Sequence, residues 1–435
     1  MASPSARGVL IDAPPPGARS PRRGGCGIAG RGATGRLRPG SRRGVPADPA
    51  AEASLLSAAA EVAAAEWDRL AGGIDPFTSH AFLALLESSG SATARTGWRP
   101  RHLLLRRDGR VVAAAPLWLK SHSFGEYVFD QGWAEAFARA GGRYYPKLQV
   151  AVPFTPVPGR RLLAADPADR EALAEALLAT AARLAVSSLH VTFCSEEEAA
   201  LLARRGCLLR RGIQFHWHNR GYRDFQDFLD SLKSEKRKTI RKEREAVRRA
   251  GVTVEVLEGA AAAPVLEAFF PYYLATVERR WGGAYLTPSF FAGLARSLTD
   301  RLVVVRASRQ GRMLGAALNL LGGDTLYGRL WGALEEGRFL HFECCYYAAL
   351  EFAIGRGLAR VEAGAQGPHK LLRGYEPVWT WSAHWLADPA LRAAVAAFLA
   401  RESGALEEEM AVLRAALPYR GGEPLRTERK AGMRP

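Results

Sequence analysis

Apolar and polar positions along this chain follow two alternating periods. Ala- and Leu-rich windows place apolar residues at helical spacing over Ser54 to Leu70, Asp169 to Ala185, Glu196 to Arg204, Ala262 to Arg280 and Asp388 to Leu413, and each predicts an amphipathic helix. Shorter runs of Val, Leu and aromatic residues predict strands. His102 to Arg106 and Val111 to Lys120 flank Asp108-Gly109, a hairpin signal. Leu302 to Ala307 and Met313 to Leu321 flank Arg309-Gln-Gly311 in the same way, and Thr325 to Trp331 follows. Ser188 to Phe193, Cys207 to His218, Ala359 to Glu362 and Trp379 to Leu386 complete the extended segments. Ser79 is placed as the N-cap of a short helix over Ala81 to Glu87.

The order hairpin, helix, strand occurs twice, which predicts an α/β chain of two duplicated units. Residues 1–52 form an Arg/Pro/Gly-rich leader, 53–222 the first unit, 223–250 a basic linking helix, 251–387 the second unit, and 388–435 a helical segment and tail. The leader lacks apolar periodicity and is expected to be disordered. An over-extended translation start and a targeting segment are the alternatives. Length supports two units, because 435 residues exceed what one core comfortably serves.

Charge adds a constraint on ligands. The formal net charge of +16 favours a polyanionic partner such as a nucleotide, a coenzyme or an RNA, with Arg as a mere solubilising residue the competing reading. The five cysteines are scattered without zinc or disulfide-scaffold spacing, which fits a reducing compartment, and a cytoplasmic location is expected. No window holds eighteen uninterrupted apolar residues, so no transmembrane segment is expected. P-loop, dinucleotide-binding, nucleophile-elbow, kinase and HExxH patterns are absent, which removes most hydrolase, kinase and dehydrogenase readings.

Polar, aromatic and glycine residues crowd three stretches of the second unit. In Leu326 to Gly332, strict alternation puts Tyr327, Arg329 and Trp331 on one strand face, either as a ligand wall or as an edge strand with a solvated Arg. In His341 to Tyr347, four-residue spacing pairs His341 with Cys345 and Glu343 with Tyr347 on a helix. His341 and Cys345 would be half a metal site, but no second pair completes it, so no metal is expected. Glu362 ends a strand before a glycine-rich turn, with Gln366, His369, Lys370 and Arg373 close behind; this reads as an anion or acyl-donor contact, or as charges in water. Lys236, Arg237 and Arg241 lie on the basic helix, as a phosphate-binding face or a solvated one.

At these residues the chain resembles the predicted N-acyltransferases related to the FemAB peptidoglycan enzymes, within the superfamily of the Gcn5-related N-acetyltransferase fold. The resemblance spans Trp67 to Leu386 and rests on Thr78-Ser-His80, Pro116-Leu-Trp-Leu-Lys120, Glu126-Tyr-Val-Phe-Asp130, Tyr144-Tyr-Pro-Lys147, Pro153-Phe-Thr-Pro156, Lys236 to Arg244, Tyr327 to Gly332, His341 to Tyr347, and Glu362 to Lys370 with Arg373-Gly-Tyr375. It implies tandem acetyltransferase-like α/β domains of mixed sheets flanked by helices, with the main cleft in the second. It also implies attack of an amine, small or peptide-like, on an acyl-CoA or aminoacyl-tRNA donor, and a link to cell-envelope precursors. Contact with tRNA would run through the basic helix. Glu343 or His369 would serve as base, with His341 nearby. Lys370 and Arg373 would hold the donor, Tyr327, Arg329 and Trp331 would line the pocket, and Glu362 and Gln366 would contact substrate. Arg373 stands where FemAB proteins carry a lysine, and the acetyltransferase pyrophosphate loop is absent between Trp331 and His341. A non-catalytic protein of the same fold, binding a peptidoglycan precursor or RNA, is the alternative.

Overall fold

The short apolar runs of the first half become strands β1 (Glu52–Leu56), β2 (Trp98–Pro100), β3 (His102–Arg107), β4 (Arg110–Ala115), β5 (Leu117–Lys120), β6 (Lys147–Val150), β7 (Leu163–Ala164), β8 (Ser188–Cys194) and β9 (Leu208–His218). The second half supplies β10 (Thr253–Glu258), β11 (Leu302–Arg309), β12 (Arg312–Gly322), β13 (Thr325–Ala333), β14 (Arg360–Glu362) and β15 (Glu376–Leu386). The computed structural model describes residues 51–420 apart from 281, 282, 336, 365 and 366, so the leader and the end of the tail lie outside the described residues.

Two sheets flanked by helices give a mixed α/β architecture. A small sheet has the order β1-β3-β4-β7, and a sheet of eleven strands has the order β10-β11-β12-β13-β14-β9-β15-β8-β6-β5-β2. Pro116 separates β4 from β5 and lets the chain pass from the small sheet to the large one, because proline has no amide to offer a ladder. The pairing also crosses the boundary near residue 222. Strand β9, from the first half, lies between β14 and β15, while β15, from the second half, lies between β9 and β8. Each half thus receives an interior strand from the other.

Local chemistry explains most helix limits. Ser195 and Glu198 form a reciprocal capping box that starts the helix Glu196–Arg204. Ser79, Thr287 and Asp388 each accept a backbone N–H at the start of His80–Ser88, Pro288–Ser297 and Pro389–Ala415. Two helices are shorter than the sequence pattern predicts. Residues 54–56 of the first are strand, because Leu55 and Leu56 pair with β3, and regular helix resumes only at Ala64. The second breaks between Glu267 and Phe270, because Pro271 has no amide to donate to the Glu267 carbonyl and is tolerated only in the first turn of the helix that restarts at Phe270.

A continuous core ties the halves together. Trp67, Phe77, Trp118 and Phe154 of the first pack in one cluster with Phe290, Leu318 and Tyr327 of the second. Gly332 lies against the helix Phe270–Arg280, where a Cβ would sit 2.7 Å from the backbone of Tyr272 and Tyr273. Gly332→Ala is therefore expected to destabilise the protein by about 1–3 kcal/mol, as overpacked sites do. A denaturant midpoint within error of the wild type would contradict that packing.

Candidate active site

Strands β13 and β14 run parallel for only three residues, Thr325 opposite Arg360, Leu326 opposite Val361 and Tyr327 opposite Glu362. Beyond Tyr327 they part. On its other edge β13 carries a bulge: Leu318 faces Leu330 and Asn319 faces Gly328, so Arg329 is the extra residue. A bulge bends its strand and re-aims the side chain it inserts. The first half has the matching parallel pair, Leu148 to Val150 on Leu189 to Val191, yet its split is filled. There the chain leaves β8 after Val150, with Phe154 N–H on Gly125 O, and returns to its end, with Gly159 N–H donating to Phe193 O and the buried Arg161 Nε to Thr192 O. The second split is occupied by a cavity.

Two cavities meet on β13. One, of about 100 Å³, occupies the split and is bordered by Asn319, Gly328, Trp331, His341, Cys345, Tyr346 and Ala363. The other, of about 240 Å³, is walled by Tyr127, Phe129, Phe154, Tyr273, Val277 and Tyr285. Arg329, Leu330 and Trp331 border both.

Glu362, at the end of β14, is buried, and its carboxyl is pushed up to about 7 because desolvation outweighs Arg360 and Arg329. Arg360 Nε lies 3.1 Å from one carboxylate oxygen and His216 Nε2 3.7 Å from the other. Burial holds the His216 imidazole well below its ordinary value and hence neutral. Lys370 is likewise buried and brought down to about 7 by desolvation, and its Nζ donates to Gly364 O at 2.6 Å.

The expected site residues fall into three groups. Arg329, Trp331 and His341 border the split, with Tyr327 and Glu362 at its closed end. His369 accompanies them through Tyr346, with 2.9 Å between Nε2 and the hydroxyl. Glu343 and Arg373 are instead tied to the basic helix Ser234–Arg249. Arg244 grips the Glu343 carboxylate with Nε and Nη2 at 3.1 and 2.9 Å, and Arg373 Nη2 lies 2.8 Å from Glu243 while its Nε meets Tyr347 OH at 2.9 Å. Neither borders either of these two cavities. Lys236, Arg237 and Arg241 sit on the outer side of that helix beside Glu235, Asp230 and Gln226. Gln366 lies outside the described residues.

Strict alternation fails in β13. Tyr327 and Leu330 pack into the core that joins the halves, whereas Trp331 packs toward Ala317 and Leu340 on the opposite side, its ring 5.8 Å from His341. The bulge at Arg329 shifts the phase. Four-residue spacing fails in the next helix, where Glu343–Tyr347 forms a π-helical turn and His341 stacks edge-on to Tyr346, five residues away.

Sequence reasoning missed the aromatic wall. Tyr127 and Phe129 lie on the loop 121–130, whose Gly125 carbonyl accepts from Phe154 N–H at 3.1 Å. A buried ionic cluster anchors that loop. Lys147 Nζ reaches Glu126 at 2.7 Å, Asp130 at 2.5 Å and Ser123 at 2.8 Å. Burial alone would depress the Lys147 ammonium, but Glu126 and Asp130 outweigh it and raise its pKa. Lys120, 3.4 Å over the Trp98 ring, is brought down to about 7 because burial, with the neighbouring Lys147 charge, outweighs the opposing pull of Glu126 and Asp130. The motifs Glu126 to Asp130 and Tyr144 to Lys147 were visible in the sequence, though nothing local marked them as one cluster.

Among the described residues no group of His, Cys, Asp and Glu is arranged to hold a metal ion, and no single helix is long and apolar enough to cross a membrane. No curated protein matches the chain in sequence. The chain is similar to the solved structure of FemX, at 15% identity over 77% of this chain and 98% of that one with a TM-score of 0.48. It is also similar to a tandem GNAT protein from the clavulanic acid biosynthesis pathway, at 16% identity over 78% and 99% with a TM-score of 0.43. L-PGS from Bacillus licheniformis is similar at 11% identity over 69% and 89%, with a TM-score of 0.44. A family model described as peptidoglycan biosynthesis/recognition matches residues 58–421, and the chain accordingly belongs to the FemAB-like family.

Proposed function

We propose that the protein is an N-acyltransferase that moves an acyl or aminoacyl group from an activated donor to an amine, with an acceptor related to cell-envelope precursors as the family description suggests. The observation that carries this reading is the meeting of two cavities across Arg329, Leu330 and Trp331, which provides separate seats for donor and acceptor on one strand. Holding both reactants in place supplies much of what acyl transfer needs. The amine attacks the acyl carbon, the C–N bond forms, the bond to the donor's leaving group breaks, and the amine's proton passes to Glu362 directly or through a water. Glu362 suits this role because its carboxyl is poised near neutrality.

Two donor classes fit, acyl-CoA and aminoacyl-tRNA. A groove lined by Arg241, Arg244, Arg248 and Arg249, together with the missing pyrophosphate loop, favours aminoacyl-tRNA. The test supplies radiolabelled aminoacyl-tRNAs and, separately, acyl-CoAs to the full chain with an amine panel that includes peptidoglycan peptide precursors, and follows label transfer. Transfer from either donor supports the reading. Saturable donor binding without turnover on any amine would make it a binding protein instead. If Glu362 takes the proton, kcat/KM should rise with pH and level off above about 7, because only the ionised carboxylate accepts. A flat profile between about pH 5 and pH 9 would assign the proton to another group.

A further inference from the structure

Among the described residues that line the aromatic cavity, Arg329 carries the one formal charge. Among the described residues its only hydrogen bond is from Nη2 to the Phe154 carbonyl at 2.9 Å, and no carboxylate lies within ion-pair distance. A guanidinium carries five N–H donors, so most of this fork is unused. Leaving such a group partly buried without an anion is costly, and a site that tolerates the cost usually gains it back from a ligand. Glu362 and Asp75 lie near enough to favour the charged guanidinium, but neither pairs with it. Glu362 is shared by Arg360 and His216, and Asp75 accepts the Phe77 N–H at 2.8 Å.

The walls specify the rest of the ligand. Phe154 and Tyr285 stack with centroids 5.2 Å apart and ring planes 18° apart, and Phe129, 55% exposed, stands at the entrance. No acidic side chain lines the cavity among the described residues, so an amine without an anion would find no charged partner there. The space is also far larger than the roughly 10–15 Å³ one ordered water needs. We infer that this cavity binds an acceptor bearing a carboxylate beside an aromatic or apolar body, with the carboxylate held by the two-pronged face of Arg329. The inference rests on the acyl-transfer reading only in calling the bound molecule an acceptor.

The test needs no donor. Binding of 4-fluoro-L-phenylalanine, its carboxamide and 4-fluorophenethylamine to the full-length protein is followed by fluorine NMR line broadening. The acid should saturate, with the amide and the decarboxylated amine at least tenfold weaker. Arg329→Gln should weaken the acid at least tenfold and leave the amide unchanged, and Arg329→Lys should fall between, because it keeps the charge and loses the fork. The comparison of the three compounds on the wild-type protein stands even if the variants do not fold. Equal binding of all three, or no saturable binding of the acid, overturns the inference. A fall in transfer rate in Arg329→Gln with acid affinity unchanged also overturns it and moves Arg329 to the developing oxyanion. Binding of the acid with no transfer from any donor would leave the inference standing and remove the acyltransferase reading.

Discussion

Glu362→Gln is expected to slow acyl transfer by about two to four orders of magnitude, the range of a positioned proton acceptor, while making the fold more stable at alkaline pH. The sign of the second effect follows from burial. In the folded protein the Glu362 carboxyl titrates near 7 rather than 4.5, so the fold keeps a proton that the unfolded chain has already released. Stability contributed by this group is intact below about 4.5 and is lost as pH climbs through about 7. At about 1.4 kcal/mol per unit, the rise from 4.5 to about 7 corresponds to a loss of about 3 kcal/mol. Glutamine cannot ionise and avoids that loss, less what Arg360 forfeits as its partner. Urea unfolding at about pH 4.5 and about pH 8 should therefore show near-equal stability at the lower pH and a more stable variant at the higher. A variant weaker than wild type at the higher pH would mean that Arg360 and His216 hold the carboxylate more firmly than desolvation opposes it.

Lys147→Met should cost about 3–5 kcal/mol, because it strands Glu126 and Asp130 in a dry interior without their cation. Lys120→Met removes a lysine as deeply buried but should cost far less. Its amine is already poised near 7, lies 3.6 Å from Glu126, and exchanges an ammonium over Trp98 for a thioether that can also pack on an indole. Measured side by side by denaturant unfolding, the two variants separate ionic anchoring from simple space filling. Equal losses would refute the distinction. The Lys147 variant should also free the loop bearing Tyr127 and Phe129, read as faster proteolytic cutting within 121–130.

Where local chemistry decides a feature, the chain announces it. Ser79 before the helix His80–Ser88 and Asp108-Gly109 between two β-rich runs each contain their own reason for a cap or a turn. The open end of β14 was also legible, because Glu362 before a glycine-rich turn signals a strand ending at a crevice. Two insertions of register were not. The bulge at Arg329 and the π-helical turn at Glu343 leave residue types unchanged, so strict two- and four-residue counting put Trp331 beside Tyr327 and missed the pairing of His341 with Tyr346. Long-range ion pairs were equally silent. Nothing in His341 to Tyr347 foretells that Arg244, ninety-nine positions earlier, occupies Glu343. The aromatic wall draws on Tyr127, Phe154 and Tyr285, three distant segments that only folding brings to one cavity.

The traded interior strands limit how freely the two halves can diverge. Side chains on a strand change sides with every single-residue slip. Glu376 to His384 of β15 are registered against His216 to Leu208 of β9, and the same strands are registered outward against β8 and β14. An insertion or deletion within either strand would turn over faces in both halves at once. Loops at the cavity mouths can lengthen or shorten independently, whereas these two segments must be inherited in step, so a lineage can change its substrates without loosening the bond between its halves.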